Sequence, residues 1–171
     1  MQHPNVPAAL SFATFASGIL ALCLGGCTTV DEYHSPVEIR PAANSEFKGW
    51  QRTDFHVGGL DTWVAPQATV DLEEIEFAVA STTPHGDHVV LMEFTPEGAE
   101  RMRSLSTRRM SRPVVVLLDG RVIAAPVLMK PVEGSLVVNF GSDRKDEKAA
   151  RELARAIDRP RKEPPGSSSR G

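Results

Sequence analysis

The chain has 171 residues, of which 41% are hydrophobic, 24% charged and 6% aromatic, with a net charge of −3 and a pI near 6.0. That length holds one domain of ordinary size with tails, and the balance is globular rather than disordered. An acidic chain poor in aromatics lacks both the basic patch and the base-stacking platform of nucleic-acid binders, so nucleic acid is excluded as a general partner.

Met1–Gly26 contains no Asp, Glu, Lys or Arg, and Ala8–Gly26 (AALSFATFASGILALCLGG) is mostly apolar or small. A short apolar run closing on small residues reads as a secretory signal over residues 1–26. Leu24-Gly25-Gly26-Cys27 resembles a bacterial lipobox. The resemblance implies cleavage before Cys27, acylation of its thiol with palmitate-type chains, and attachment to a membrane through their buried CH₂ groups. Two other readings stay open. The apolar run is just long enough to remain as a transmembrane anchor, and Cys27 could follow an ordinary signal peptide. All three place the rest of the chain outside the cytoplasm, in the bacterial cell envelope, facing the periplasm or the exterior. The cysteines are Cys23 and Cys27, so the chain beyond them has no disulfide, no CxxC and no zinc-binding cysteine set.

Residues 27–46 carry Pro36 and Pro41 and no sustained periodicity, and read as a tether ahead of a domain spanning 47–158. In Phe47–Val64 the apolar residues Trp50, Phe55, Val57, Leu60 and Trp63 are interrupted by Gly49, Gly58 and Gly59, which predicts an irregular or short-stranded segment, extended over Thr62–Ala65. Asp71–Ile75 can make one helical turn with two acids at its start. Glu76–Ser81 alternates, with Phe77 and Val79 on one face, and pairs as a hairpin with His88–Thr95 across the turn-rich TTPHGD. Thr95-Pro96-Glu97 then opens a helix, with Thr95 as N-cap and Pro96 at the first helical position. Ala99, Met102 and Leu105 face the sheet, and Arg101, Arg103, Arg108 and Arg109 give a basic surface in and beyond the helix.

Arg112–Val132 (RPVVVLLDGRVIAAPVLMKPV) is the centre of the fold. Two β-rich runs flank Asp119-Gly120, and Asp-Gly there is a strong hairpin signal because a type I′ turn needs positive φ at both central residues. The Val114–Leu118 run is apolar on both faces, as a buried central strand is. Pro126 has no N–H for a ladder, which puts the second run at an edge or a bulge. Ser135–Phe140 is a further strand. Ser142 or Asp143 caps a last helix whose Ala150, Leu153, Ala154 and Ile157 form one apolar stripe. Residues 159–171 (RPRKEPPGSSSRG) have the composition of a disordered tail. The expected architecture is α+β: a two-layer sandwich with an antiparallel or mixed sheet and two helices on one face.

The stretch from about Ala65 to Ile157 resembles the head subdomain of the first large periplasmic region of SecD/SecDF preprotein translocase subunits. The residues that carry this are Phe94-Thr95-Pro96-Glu97-Gly98-Ala99, matching "T-x-E-G-A", and Leu118-Asp119-Gly120-Arg121-Val122 with Ala125-Pro126-Val127, matching "D-G-x-V-x-x-A-P". Gly134, Phe140-Gly141 and Glu147–Ile157 fit the family's closing segment. The resemblance implies a ferredoxin-like head that engages emerging polypeptide beyond the membrane. It implies protein-export machinery or an extended polypeptide as partner, and no cofactor.

Reactive chemistry has little support in the sequence. His85, Asp87 and His88, with His56 or Glu93, are the sole candidates for a metal cluster, and the polar tip of a hairpin explains them better. Asp119 and Gly120 are structural turn residues. Ser104, Ser106 and Ser111 sit in no nucleophile motif. Three functions remain: a non-catalytic lipid-anchored binding domain, a metal-assisted hydrolase using His85 and His88, or a structural lipoprotein. The first is preferred. Its candidate surfaces are a groove near Trp50 and Trp63 and a strand edge at Pro126 and Val127, where an extended chain could add.

Overall fold

The computed structural model describes residues 35–158, and the signal, the Cys27 site and the 159–171 tail lie outside them. Among the described residues nine strands run in chain order: β1 (Val37–Ala43), β2 (Gln51–Val57), β3 (Leu60–Val64), β4 (Val70–Asp71), β5 (Ile75–Thr82), β6 (His88–Phe94), β7 (Val114–Leu118), β8 (Arg121–Ala124) and β9 (Ser135–Gly141). Helix α1 (Pro96–Arg108) separates β6 from β7, α2 (Arg144–Ile157) follows β9, and a short 3-10 turn at Leu72–Glu74 follows β4. Among the described residues no helix is long and apolar enough to cross a membrane.

The class is α+β with antiparallel pairing, as expected, but the strands form two sheets rather than the one sheet of a ferredoxin-like sandwich. One has the order β2-β3-β1-β7-β8, with β4 also paired to β1, and the other the order β5-β6-β9. The reason lies in residues 37–64. Val37–Ala43, read as tether, is β1 and pairs with β7 over Val37–Pro41. Val37, Ile39 and Ala42 are fully buried. Phe47–Val64, read as irregular or short-stranded, is short-stranded: it contains the β2–β3 hairpin, turned by Gly58 and Gly59 with φ of +61° and +79°. β1 pairs with β7, and β5 and β6 pair with β9 in a sheet of their own.

Pro41 masked β1. Its position is tolerated because Ala42 N–H bonds the Pro113 carbonyl on the β7 side, so residue 41 faces the other way. There the partner of β1 changes from β4 to β3, and the Pro41 carbonyl accepts from Ala65 N–H at 3.0 Å. The missing N–H therefore falls in a gap of the ladder, where it breaks no pair.

The central hairpin forms as its turn chemistry predicts. Asp119 and Gly120 have φ of +49° and +74°, and Leu118 pairs with Arg121. β8 ends at Ala124, before Pro126, and the chain continues alongside β7 through a single bridge from Val127 to Pro113. Each face of β7 is buried by a different cluster. Val114, Val116 and Leu118 join a core that draws on both sheets and both helices, including Ile39, Met92, Met102 and Leu153. Val115 and Leu117 join a second, smaller cluster with Ala42 and Val64.

The helices are set by their caps. The Thr95 hydroxyl accepts from Gly98 N–H at 3.2 Å. Asp143 accepts from the N–H groups of Lys145 and Asp146, and the Asp146 carboxylate returns a bond to Asp143 N–H. Ala150, Leu153, Ala154 and Ile157 are all buried, and α2 lies on β5, β6 and β9.

Candidate functional site

β2 and β8 are the outermost strands of the first sheet, so each has an edge that no other strand of the described residues covers. Such an edge presents unpaired backbone N–H and C=O groups. The sheet nevertheless brings the two edges to one cleft of about 600 Å³, bordered by residues 51–55 on one side and by Gly120, Arg121 and Val122 on the other. Phe55, Val64, Leu117 and Val122 supply its apolar surface.

Glu38 and Arg40 of β1 also line the cleft. Arg40 Nε donates to Glu38 Oε2 at 2.6 Å, and its Nη1 donates to the Pro66 carbonyl at 2.8 Å. Glu38 is buried and Arg40 half-buried, so removing Arg40 would leave the Glu38 carboxylate without its ion-pair partner. Toward the rim, Arg52 pairs with Asp61 at 2.9 Å, an exposed contact. Arg121 and Asp54 make no ion pair among the described residues. The cleft thus combines apolar walls with a few fixed charges, and on its β2 side the Phe55 N–H and C=O are both bonded by the Thr53 hydroxyl.

The residues singled out in the sequence lie elsewhere or at the margins. Trp63 sits in β3 opposite Arg52 and Ala43, half-buried in the sheet. Trp50 precedes β2 and packs against Phe47 and Arg109 rather than against Trp63. The Pro126 carbonyl accepts from Val114 N–H, and Val127 is exposed at the far end of the hairpin. His85 and His88 lie at the β5–β6 turn, where His88 Nδ1 is 3.3 Å from the Thr82 hydroxyl. Among the described residues no three His, Cys, Asp or Glu side chains come together as a metal site.

Two further residues, Ser106 and Gly98, prove to be structural anchors. Ser106 is fully buried; its hydroxyl donates to the Arg103 carbonyl at 3.0 Å and accepts from Val132 N–H at 2.9 Å. Gly98 packs its Cα on the Glu74 backbone, and any Cβ there would collide with the Glu74 carbonyl. The same carbonyl accepts from Thr95 N–H at 3.0 Å. The glycine of the Thr95–Ala99 motif is therefore required by close packing of α1 on the preceding turn. A small polar residue in the last turn of α1, next to Leu105 on the buried face, was the available signal for Ser106.

Comparison with known proteins agrees with this geometry. The family model for the P1 head subdomain of SecDF matches residues 51–159. The protein translocase subunit SecD of Acidaminococcus fermentans is 34% identical over 82 residues, which is 48% of this chain and 19% of that protein. SecDF of Thermus thermophilus is 34% identical over 58 residues, 34% of this chain and 8% of that protein. The chain therefore spans about a fifth or less of these relatives. Two SecDF structures share the fold. One, of a membrane component that enhances protein export, has a TM-score of 0.50 at 20% identity and covers 71% of this chain and 60% of its own. The other, SecDF in its super-membrane-facing form, has a TM-score of 0.51 at 22% identity and covers 71% and 18%. The matched residues run from β2 to the end of α2 and include both motif segments, and on that basis the chain belongs to the SecDF P1 head subdomain family.

Proposed function

We propose that this protein is a non-catalytic, lipid-anchored head of the cell envelope that holds an extended polypeptide in the cleft between β2 and β8, as an accessory to protein export. One observation carries the reading: the open edges of two strands border a single cleft with apolar walls. A polypeptide entering it would add a strand to either edge. Its backbone would bond the free N–H and C=O groups, and its alternate side chains would meet Phe55, Val64 and Leu117. Main-chain recognition tolerates many sequences, as an export accessory requires. The SecD and SecDF relatives support the export context, and the lipobox-like Leu24–Cys27 supports membrane attachment through Cys27.

The test is in-cell photocrosslinking from Val122 on the cleft wall, with Val137 on the outer face of β9 as the control. Unfolded secretory chains or subunits of the export machinery should be captured at Val122 and not at Val137. Equal capture at both positions, or none at Val122 from folded, membrane-bound protein, would refute the cleft. Attachment is tested separately. Replacing Cys27 by Ser should release the protein from membranes or block its processing, and normal processing and retention would remove the lipid.

A further inference from the structure

The end of the first sheet farthest from the Asp119-Gly120 turn carries a second surface, separate from the cleft. Arg109, which caps α1, donates from Nη2 to the Ala42 carbonyl at 2.8 Å and lies 5.0 Å over the Trp50 ring. The Phe47 ring packs on Trp50 at 4.9 Å. Arg109 Nε is buried without a hydrogen-bond partner. Its pKa is lowered, first by burial and then by the charge of Arg112. Two guanidinium groups thus stand together, and Arg108, Arg109, Arg112 and Lys130 make no ion pair among the described residues. Ser111 N–H bonds the Leu128 carbonyl at 2.8 Å, which ties residues 110–112 to 127–130. Three apolar side chains are exposed on these two segments: Met110, Val127 and Met129, the last 71% exposed. Phe47, beside Trp50, is exposed as well.

We infer that this basic, methionine- and aromatic-tipped end docks on an anionic lipid surface. Clustered cations that form no ion pair repel one another in the free protein, and an anionic surface relieves that repulsion. Long apolar tips beside Trp and Arg match the composition of the membrane interface. The inference rests on the membrane attachment proposed above, which holds the chain beside a lipid surface, where each basic side chain is attracted to anionic headgroups. Chain length permits it. β1 begins beside Leu118, near the turn, and ends beside Trp63, so the patch lies one strand length, roughly 23 Å, from where the described chain starts. Residues 27–34 can span roughly 26–29 Å at full extension, enough to lay the patch on the surface that holds the anchor.

The experiment uses the full chain with Trp63→Phe, which leaves Trp50 as the one tryptophan. The protein is reconstituted into vesicles of brominated phosphatidylcholine, alone or with about 30% phosphatidylglycerol, and Trp50 quenching is read. Quenching should be at least about twofold greater with the anionic lipid and should return to the neutral level in about 0.5 M salt, where screening is short-ranged. Arg112→Gln with Lys130→Gln should weaken the interaction about 25-fold, at roughly fivefold per basic side chain. Wild-type chain, with both tryptophans reporting, covers the case in which Trp63→Phe does not fold. Equal quenching in both vesicles, or none in either, overturns the inference. So does a shift of Trp50 emission with soluble polyglutamate but not with anionic vesicles, which would assign the patch to an acidic polypeptide. Flotation with neutral vesicles reads the anchor independently. If the chain fails to float there, attachment is wrong, and the patch is judged by whether anionic vesicles alone bind the protein and quench Trp50.

Discussion

β7 and β6 carry nearly the same apolar run, Val-Val-Val-Leu-Leu against Val-Val-Leu-Met, and both are central strands of their sheets. All five residues of β7 are buried, whereas β6 alternates. The difference comes from what covers the second face. Behind β7, Ala42 and Val64 close over Val115 and Leu117. Behind β6, α2 and the core cover Val90 and Met92, but nothing among the described residues covers the opposite face. There Val79, Leu91 and Val137 stand side by side across the three strands, with Val137 57% exposed. An apolar run therefore states that a strand is central without stating how many of its faces are covered.

Truncation should expose the contrast most strongly on the doubly covered side. Ile39 is fully buried in β1 against Val116. Ile39→Ala should cost about 2–5 kcal/mol, because it loses both transfer energy and the contacts around the cavity it leaves. Chemical denaturation would measure it, and a loss below 1 kcal/mol would mean that β1 is not part of the core. The junction between the sheets should come next. Ser106 holds Val132 N–H on the connection between β8 and β9. Ser106→Ala leaves that buried donor unsatisfied and should cost about 1–3 kcal/mol. Denaturant midpoints unchanged from wild type would show that water replaces the hydroxyl.

Much of the second half of the chain could be read before its structure was known, because its signals are local. Asp119-Gly120 requires positive φ at both positions, Thr95-Pro96 opens α1, and the Ala150–Ile157 stripe faces β5, β6 and β9. Each depends on a few adjacent residues and on strong backbone preferences. The first half was harder because its order is non-local. β1 carries a proline and charged Glu38 and Arg40, and it becomes a strand only because β7, β3 and β4 supply its partners. Gly58-Gly59 was a legible hairpin signal, but flanking strands with exposed alternate residues looked irregular. The cleft was hidden for the same reason. It is made by residues 38–64 meeting 117–122, which the non-local pairing of β1 with β7 and β3 brings together. Trp50 and Trp63 drew attention as large aromatics, yet the sheet separates their roles.

On the singly covered side, substitutions should be nearly silent. Val137→Thr keeps the β-branched shape, leaves Leu136 and Val138 in the core, and should change stability by no more than about 0.5 kcal/mol. A loss of about 2 kcal/mol in the isolated protein would show that this face is covered after all, and would remove the contrast with β7.

The smallest expected effect concerns the cap of α2, the helix that covers the inner face of β6. Backbone N–H bonds from Asp146 and then Lys145 hold the Asp143 carboxyl below its ordinary value of 3.8, with lesser help from nearby Lys145 and His88 charges. A depressed carboxyl favours the folded state while it is ionised. The contribution is complete above the ordinary carboxyl range and is lost as pH falls through the lowered folded value. Asn at the same position caps comparably but does not ionise. Asp143→Asn should therefore leave stability near pH 7 almost unchanged and flatten its decline between about pH 4 and pH 2, where carboxylates take up protons. Thermal melts of both proteins across that range would measure it. If the two decline in parallel, Asp143 does not couple α2 to pH, and the acid sensitivity of the second sheet must come from other carboxylates.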